Sequence, residues 1–225
     1  MRDSRRSFLR AAGALAAAPL VSRLPRPSRA ASQFDPDFGS ASEALEAMAR
    51  GAISSRELVE HTYRRIRKHN PRVNAFITLT EESALARAKQ ADEARAAGKS
   101  WGPLHGLPIL IKDTFETAGV KTTAGSKLLG THVPKEDAIA VSRLLEAGAV
   151  LVGKTNLPEF ASDMQSYNDV AGTTNNPWDL ARTPGGSTGG GAAALASGFG
   201  FLELGSDIRW TSSRCAATFR LRPAR

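Results

Sequence analysis

Lys112 stands directly after the apolar run Pro108-Ile109-Leu110-Ile111 and before Asp113. Such a run reads as a strand buried on both faces. The lysine then emerges at the strand's C-terminal end, where open α/β sheets keep their ligand crevices. Taken alone, a lysine is usually a solvated surface charge. Partly desolvated at such a place, it gives up its proton more readily and can act as a base. The second feature is Thr183-Pro184-Gly185-Gly186-Ser187-Thr188-Gly189-Gly190-Gly191, running into Ala192-Ala193-Ala194. A glycine-rich turn of this kind exposes backbone N–H groups and lets a substrate approach closely, with the Ser187 and Thr188 hydroxyls at its centre. Its flanks, Trp178 and the alanine run, set it apart from a flexible linker.

Other chemistries fit these residues less well. The loop lacks the Lys that follows Gly in a phosphate-binding P-loop, and no strand precedes it as the dinucleotide fingerprint requires. Gly185-Gly186-Ser187-Thr188-Gly189 fits the G-x-S-x-G nucleophile elbow, but that elbow also needs a preceding strand, and Asn175-Asn176-Pro177-Trp178 with Pro184 is none. It needs a later histidine as well, and His61, His69, His105 and His132 all precede Ser187. These histidines show no metal-ligand spacing, so a metal-dependent hydrolase is poorly supported. The only cysteine, Cys215, lies near the C-terminus, so residues 1–208 offer neither a disulfide nor a thiol nucleophile. A Ser/Lys mechanism remains.

Elements that would position these groups are legible along the chain. Ser40-Ala41-Ser42-Glu43 and Ser54-Ser55-Arg56-Glu57 both match the capping box, predicting two helices. The first ends near Arg50 at Gly51; the second carries Leu58, Thr62 and Ile66 on one face and is expected to stop at Asn70-Pro71. Residues 75–79 read as a strand, 81–97 as a helix ended by Gly98, 137–147 as a helix, and 149–152 as an apolar strand after Gly148. Helices alternating with apolar strands imply an α/β layer structure, with no internal repeat and no linker between domains.

Several ordered motifs then resemble one family, the amidase signature hydrolases. They are Gly102-Pro103-Leu104-His105-Gly106-Leu107-Pro108-Ile109-Leu110-Ile111-Lys112-Asp113, residues 148–160 (GAVLVGKTNLPEF), residues 174–178 (TNNPW), residues 184–190 (PGGSTGG), and Glu203-Leu204-Gly205-Ser206-Asp207-Ile208. The resemblance covers roughly residues 40–208. It implies a mixed β-sheet flanked by helices and a Ser-Ser-Lys triad that hydrolyses a carboxamide through an acyl-enzyme, without metal or organic cofactor. Lys112 would be the neutral base, and Ser187, preceded in this family by a cis peptide bond, the bridging hydroxyl. Gly186, Ser187, Asp207 and Ile208 would lie along the substrate. An adjacent base is what turns a weakly nucleophilic hydroxyl into an attacking group, and backbone donors aimed at the oxyanion lower the barrier further.

The chain departs from this pattern after Ile208. The family's nucleophile follows Asp-Ile-Gly-Gly, and here Arg209-Trp210-Thr211 stands instead of Gly-Gly-Ser, leaving Thr211 at the nucleophile position. Arg and Trp side chains obstruct the close backbone approach that glycine permits. The expectation is therefore an inactive chain. The abrupt switch to a tail without acids over 209–225, in a family about twice as long, predicts a reading-frame change and a truncated amidase domain over 32–208. Two alternatives stay open: a non-catalytic amide-binding protein, and the glutaminase subunit of a tRNA-dependent amidotransferase.

Residues 1–31 read as an address. Arg5-Arg6 before Phe8-Leu9, an apolar stretch over 11–21 too short to span a bilayer, and the small-x-small Ser28-Arg29-Ala30 resemble a twin-arginine signal peptide. Export to the periplasm or outside is expected, with no stable membrane insertion after cleavage. The formal net charge of +8 sits at the two ends: residues 1–30 carry seven Arg and one Asp, residues 209–225 five Arg and no acid, and the body between them 18 basic against 21 acidic residues. The body thus offers no basic face for a phosphate backbone, and nucleic acid is not an expected partner. The expected partner is a small-molecule amide, and oligomeric state stays open.

Overall fold

The computed structural model describes residues 34–207. The expected signal peptide, Ile208, Thr211 and the basic tail lie outside the described residues. Within them the chain forms α1 (Ala41–Ala49), α2 (Ser55–Val73), β1 (Phe76–Leu79), α3 (Glu81–Ala96), β2 (Pro108–Lys112), α4 (Ile139–Glu146), β3 (Val150–Thr155), β4 (Tyr167–Asn168), β5 (Gly172–Thr173), α5 (Gly189–Ala196) and β6 (Leu202–Leu204). The main sheet runs β1-β3-β2-β6. β1 pairs antiparallel with β3, while β2 pairs parallel with both β3 and β6, so the sheet is mixed. β4 and β5 form a separate two-stranded ribbon.

Alternation along β2 sends side chains to both faces, and each face has its own core. On one, Leu110 packs with Val150 and Val152, with Tyr63 and Ile66 of α2, with Ala84 and Ala88 of α3, and with Ala193 and Ala194 of α5. On the other, Ile109, Ile111 and Leu151 meet Ala44 and Met48 of α1 and Val141 of α4. Helices therefore flank the sheet on both sides, as an all-apolar strand requires. The registers of β2 and β3 slip between Ile109 and Leu110, so that Lys112 comes opposite Thr155.

Both capping boxes form: Ser40 and Ser54 accept from Glu43 and Glu57 N–H, and the glutamates return the bond. The stop expected at Asn70-Pro71 does not hold, because α2 continues through Pro71 to Val73 and ends at Asn74 in the left-handed region. Two contacts outweigh the N–H that proline lacks. Val73 is buried in the core, and Asn70 Oδ1 accepts from Ala75 N–H just past the helix end. α4 begins at Ile139 rather than 137, since the Asp137 carboxylate is taken by the Ala118 N–H.

Candidate functional site

Lys112 is the last residue of β2 and is fully buried. Its Nζ lies 2.7 Å from Ser187 Oγ, 3.1 Å from Thr188 Oγ1, and 2.9 and 3.2 Å from Oγ and the carbonyl of Ser206. Three sequence segments, those of Lys112, Ser187 and Ser206, thus meet at one amine. Ser187 is 2% exposed, and the Gly186–Ser187 peptide is cis.

The glycine-rich run is an ordered loop leading into α5, and close packing explains its composition. A Cβ on Gly186 would come 2.8 Å from the carbonyl carbon of Met164. One on Gly190 would overlap the backbone of Asn156, which accepts the Gly190 N–H. Only a residue without a side chain lets α5 sit this low on the end of β3.

Three groups near Lys112 were given no role of their own from sequence. Thr188 and Ser206 lie within the matched motifs, and an amine with several hydrogen-bonding positions needs more neighbours than one serine supplies. Thr188 Oγ1 also donates to the Ser206 carbonyl, tying the loop before α5 to the chain leaving β6. The third is Glu203. Thr155 Oγ1 donates to its carboxyl, and burial pushes that group up to about 7, against the opposing influence of Thr155 and the Lys112 charge. Glu203 as a residue is only partly buried because β6 has no partner on its outer edge among the described residues, but its carboxyl group turns inward. Of the remaining expected site residues, Asp207 is exposed at the end of the described chain.

Asp113 and Lys154 form a second buried pair, 3.3 Å apart and both fully enclosed. Asp113 accepts from the N–H and hydroxyl of Thr123, and Lys154 donates to the Phe115 carbonyl and Thr122 Oγ1. Burial holds Lys154 below the usual lysine range while the Asp113 charge opposes it. The pair pins the loop that leaves β2 to the end of β3, immediately behind Lys112.

A family model described as Amidase matches residues 57–215. A glutamyl-tRNA(Gln) amidotransferase subunit of Prochlorococcus marinus (strain MIT 9211) is 50% identical over 167 residues, covering 72% of this chain and 34% of that protein. Native peptide amidase from Stenotrophomonas maltophilia superposes with a TM-score of 0.75 at 34% identity, over 79% of this chain and 38% of its own. A fatty acid amide hydrolase does so with a TM-score of 0.73 at 29% identity, over 78% and 31%. The chain spans about a third of the length of the curated relatives it matches. Motifs, mixed sheet and family match agree: the chain belongs to the amidase signature family.

Proposed function

We propose that Lys112 and Ser187 are the proton-relay half of a serine amide hydrolase acting on a small-molecule carboxamide. The observation that carries this reading is the buried 2.7 Å contact between them at the C-terminal end of β2. In the complete reaction Lys112, as the neutral amine, takes the Ser187 proton while Ser187 takes that of the nucleophile, whose oxygen bonds to the carbonyl carbon. Collapse of the tetrahedral adduct breaks the C–N bond, and the proton returns through Ser187 to the leaving nitrogen. Water then hydrolyses the ester to the acid. The family resemblance assigns Gly186 and Asp207 to the substrate side of this site, as it does Ile208, which lies outside the described residues, and the reading needs no metal or organic cofactor.

Arg209-Trp210-Thr211 stands where the family's Gly-Gly-Ser belongs, so the natural chain is read as lacking turnover. A second reading, a glutaminase subunit of a tRNA-dependent amidotransferase, is supported by the name of relatives as much as 50% identical. The twin-arginine-like N-terminus weighs against it, since tRNA is cytosolic.

The test treats the full chain and its R209G/W210G/T211S variant with a fluorophosphonate probe, maps the adducts by mass spectrometry, and measures ammonia released from simple carboxamides and glutamine. We expect no adduct and no ammonia from the natural chain, and an adduct at position 211 of the variant that disappears with Lys112→Ala. An unlabelled variant, or labelling indifferent to Lys112, sinks the reading. Ammonia from glutamine alone among the amides favours the second.

A further inference from the structure

The carboxyl of Glu203 is a buried acid for which the proton relay has no use. Its place follows from register. Glu203 pairs with Leu110 across β2/β6, and Thr155 pairs with Lys112 across β2/β3, yet Thr155 donates to the Glu203 carboxyl. That bond therefore runs over the middle strand, from β3 to β6, on the face of β2 that carries both Leu110 and Lys112. α5 covers the same spot, and a Cβ on Gly191 would overlap the carboxyl, so the glycine in its first turn makes the space the acid occupies. The group is held from both sides of β2, on the face that carries Lys112.

We propose that Glu203 is a positioning residue that sets the proton affinity of Lys112 through space, its carboxylate stabilising the ammonium that forms when Lys112 takes a proton. The proposal rests on Lys112 being the base, as argued above, and adds a residue that touches neither Ser187 nor an amide.

Among the described residues, Glu203 is a buried acid placed on the face of β2 that carries Lys112. The partners of Lys112 include hydroxyls and a carbonyl, from Ser187, Thr188 and Ser206. α5 brings no titratable side chain, being built of Gly, Ala and Leu. From β3, Lys154 alternates to the opposite face, where Asp113 and Thr122 hold it. Asp207, beyond β6, is exposed. The Lys112 charge opposes the burial-driven rise of the Glu203 carboxyl.

The experiment is an NMR titration of the full chain carrying 13C-labelled lysine and glutamate side chains, with Lys112→Arg and Glu203→Gln supplying the assignments. Glu203 should titrate near neutral pH, and the Lys112 Cε signal should show a step at the same pH. In E203Q that step should vanish and the Lys112 midpoint should fall by roughly one pH unit, the size of effect expected from a nearby opposite charge. Lys112 curves that superimpose in the two proteins overturn the proposal.

T155V, which keeps the shape and removes the donor, serves should E203Q not fold. The Glu203 midpoint should rise and carry the Lys112 step with it, whereas a Glu203 midpoint that moves alone is fatal. Amide chemistry plays no part in this readout. Coupling found in a chain whose glycine-restored variant takes no probe leaves the inference standing and removes the hydrolase reading, and the converse result does the opposite.

Discussion

Replacing Lys154 by methionine should be among the most destabilising single changes in the described body. The side chain is fully buried beside an equally buried Asp113 at 3.3 Å, so its loss strands a carboxylate that water cannot reach. At an effective dielectric of about 20, two unit charges at that separation attract by about 5 kcal/mol. Removing one partner of a buried pair typically costs about 3–5 kcal/mol, which agrees. The Phe115 carbonyl and the Thr122 hydroxyl also lose their partner, adding to the upper end of that range. The check is equilibrium urea unfolding followed by tryptophan fluorescence. With a slope of about 2 kcal/mol per molar, a loss of about 4 kcal/mol lowers the midpoint by about 2 M. The double variant D113N/K154M removes both charges and should recover a good part of that loss, because the penalty belongs to the unpaired ion and not to the missing attraction. A K154M midpoint within about 0.5 M of the natural chain would refute this account, and so would a double variant less stable than K154M alone.

Stability should fall through Glu203 between mildly acidic and neutral pH. A carboxyl whose folded pKa stands above its unfolded one binds its proton more tightly in the native state, so its stabilisation is complete below about 4.5 and is lost as pH rises through about 7. That gap corresponds to at most about 3 kcal/mol, and it should appear as a difference in pH dependence between the natural chain and E203Q; parallel curves would contradict it. Ser54→Ala removes the acceptor for the Glu57 N–H at the start of α2 and should cost about 1 kcal/mol in the same unfolding assay, with no change in slope. A reporter fused after residue 31 should leave the cytoplasm only while Arg5 and Arg6 are intact, and a reporter exported equally well with both replaced by lysine would remove the twin-arginine reading.

Local signals in the sequence were strongest where one segment decides its own structure. The two capping boxes fix helix starts by bonds within four residues, and the apolar runs before Lys112 and over 149–152 can only be strands or core helices of that length, so α1, α2, β2 and β3 were all legible. Boundaries failed where a distant contact overrode the local signal. α2 passes through Pro71 because Val73 has a core site to fill, and α4 starts late because Asp137 is engaged by the loop at Ala118. The site divides in the same way. Lys112 and Ser187 could be named from their motifs, but their 2.7 Å approach depends on β2 and α5 folding against each other. Glu203 opened a matched motif but, with a leucine on each side, gave no sign of a role of its own. Only the parallel register of β6 on β2, the reach of Thr155 from the far strand, and the missing side chain at Gly191 bring a carboxyl to the face where the lysine ends. A residue whose chemistry is set by three other elements cannot be read from its own stretch of chain. For that reason, in a sheet with a lysine at its centre, each side chain crossing to the lysine's face is worth tracing before the reacting groups are counted as complete.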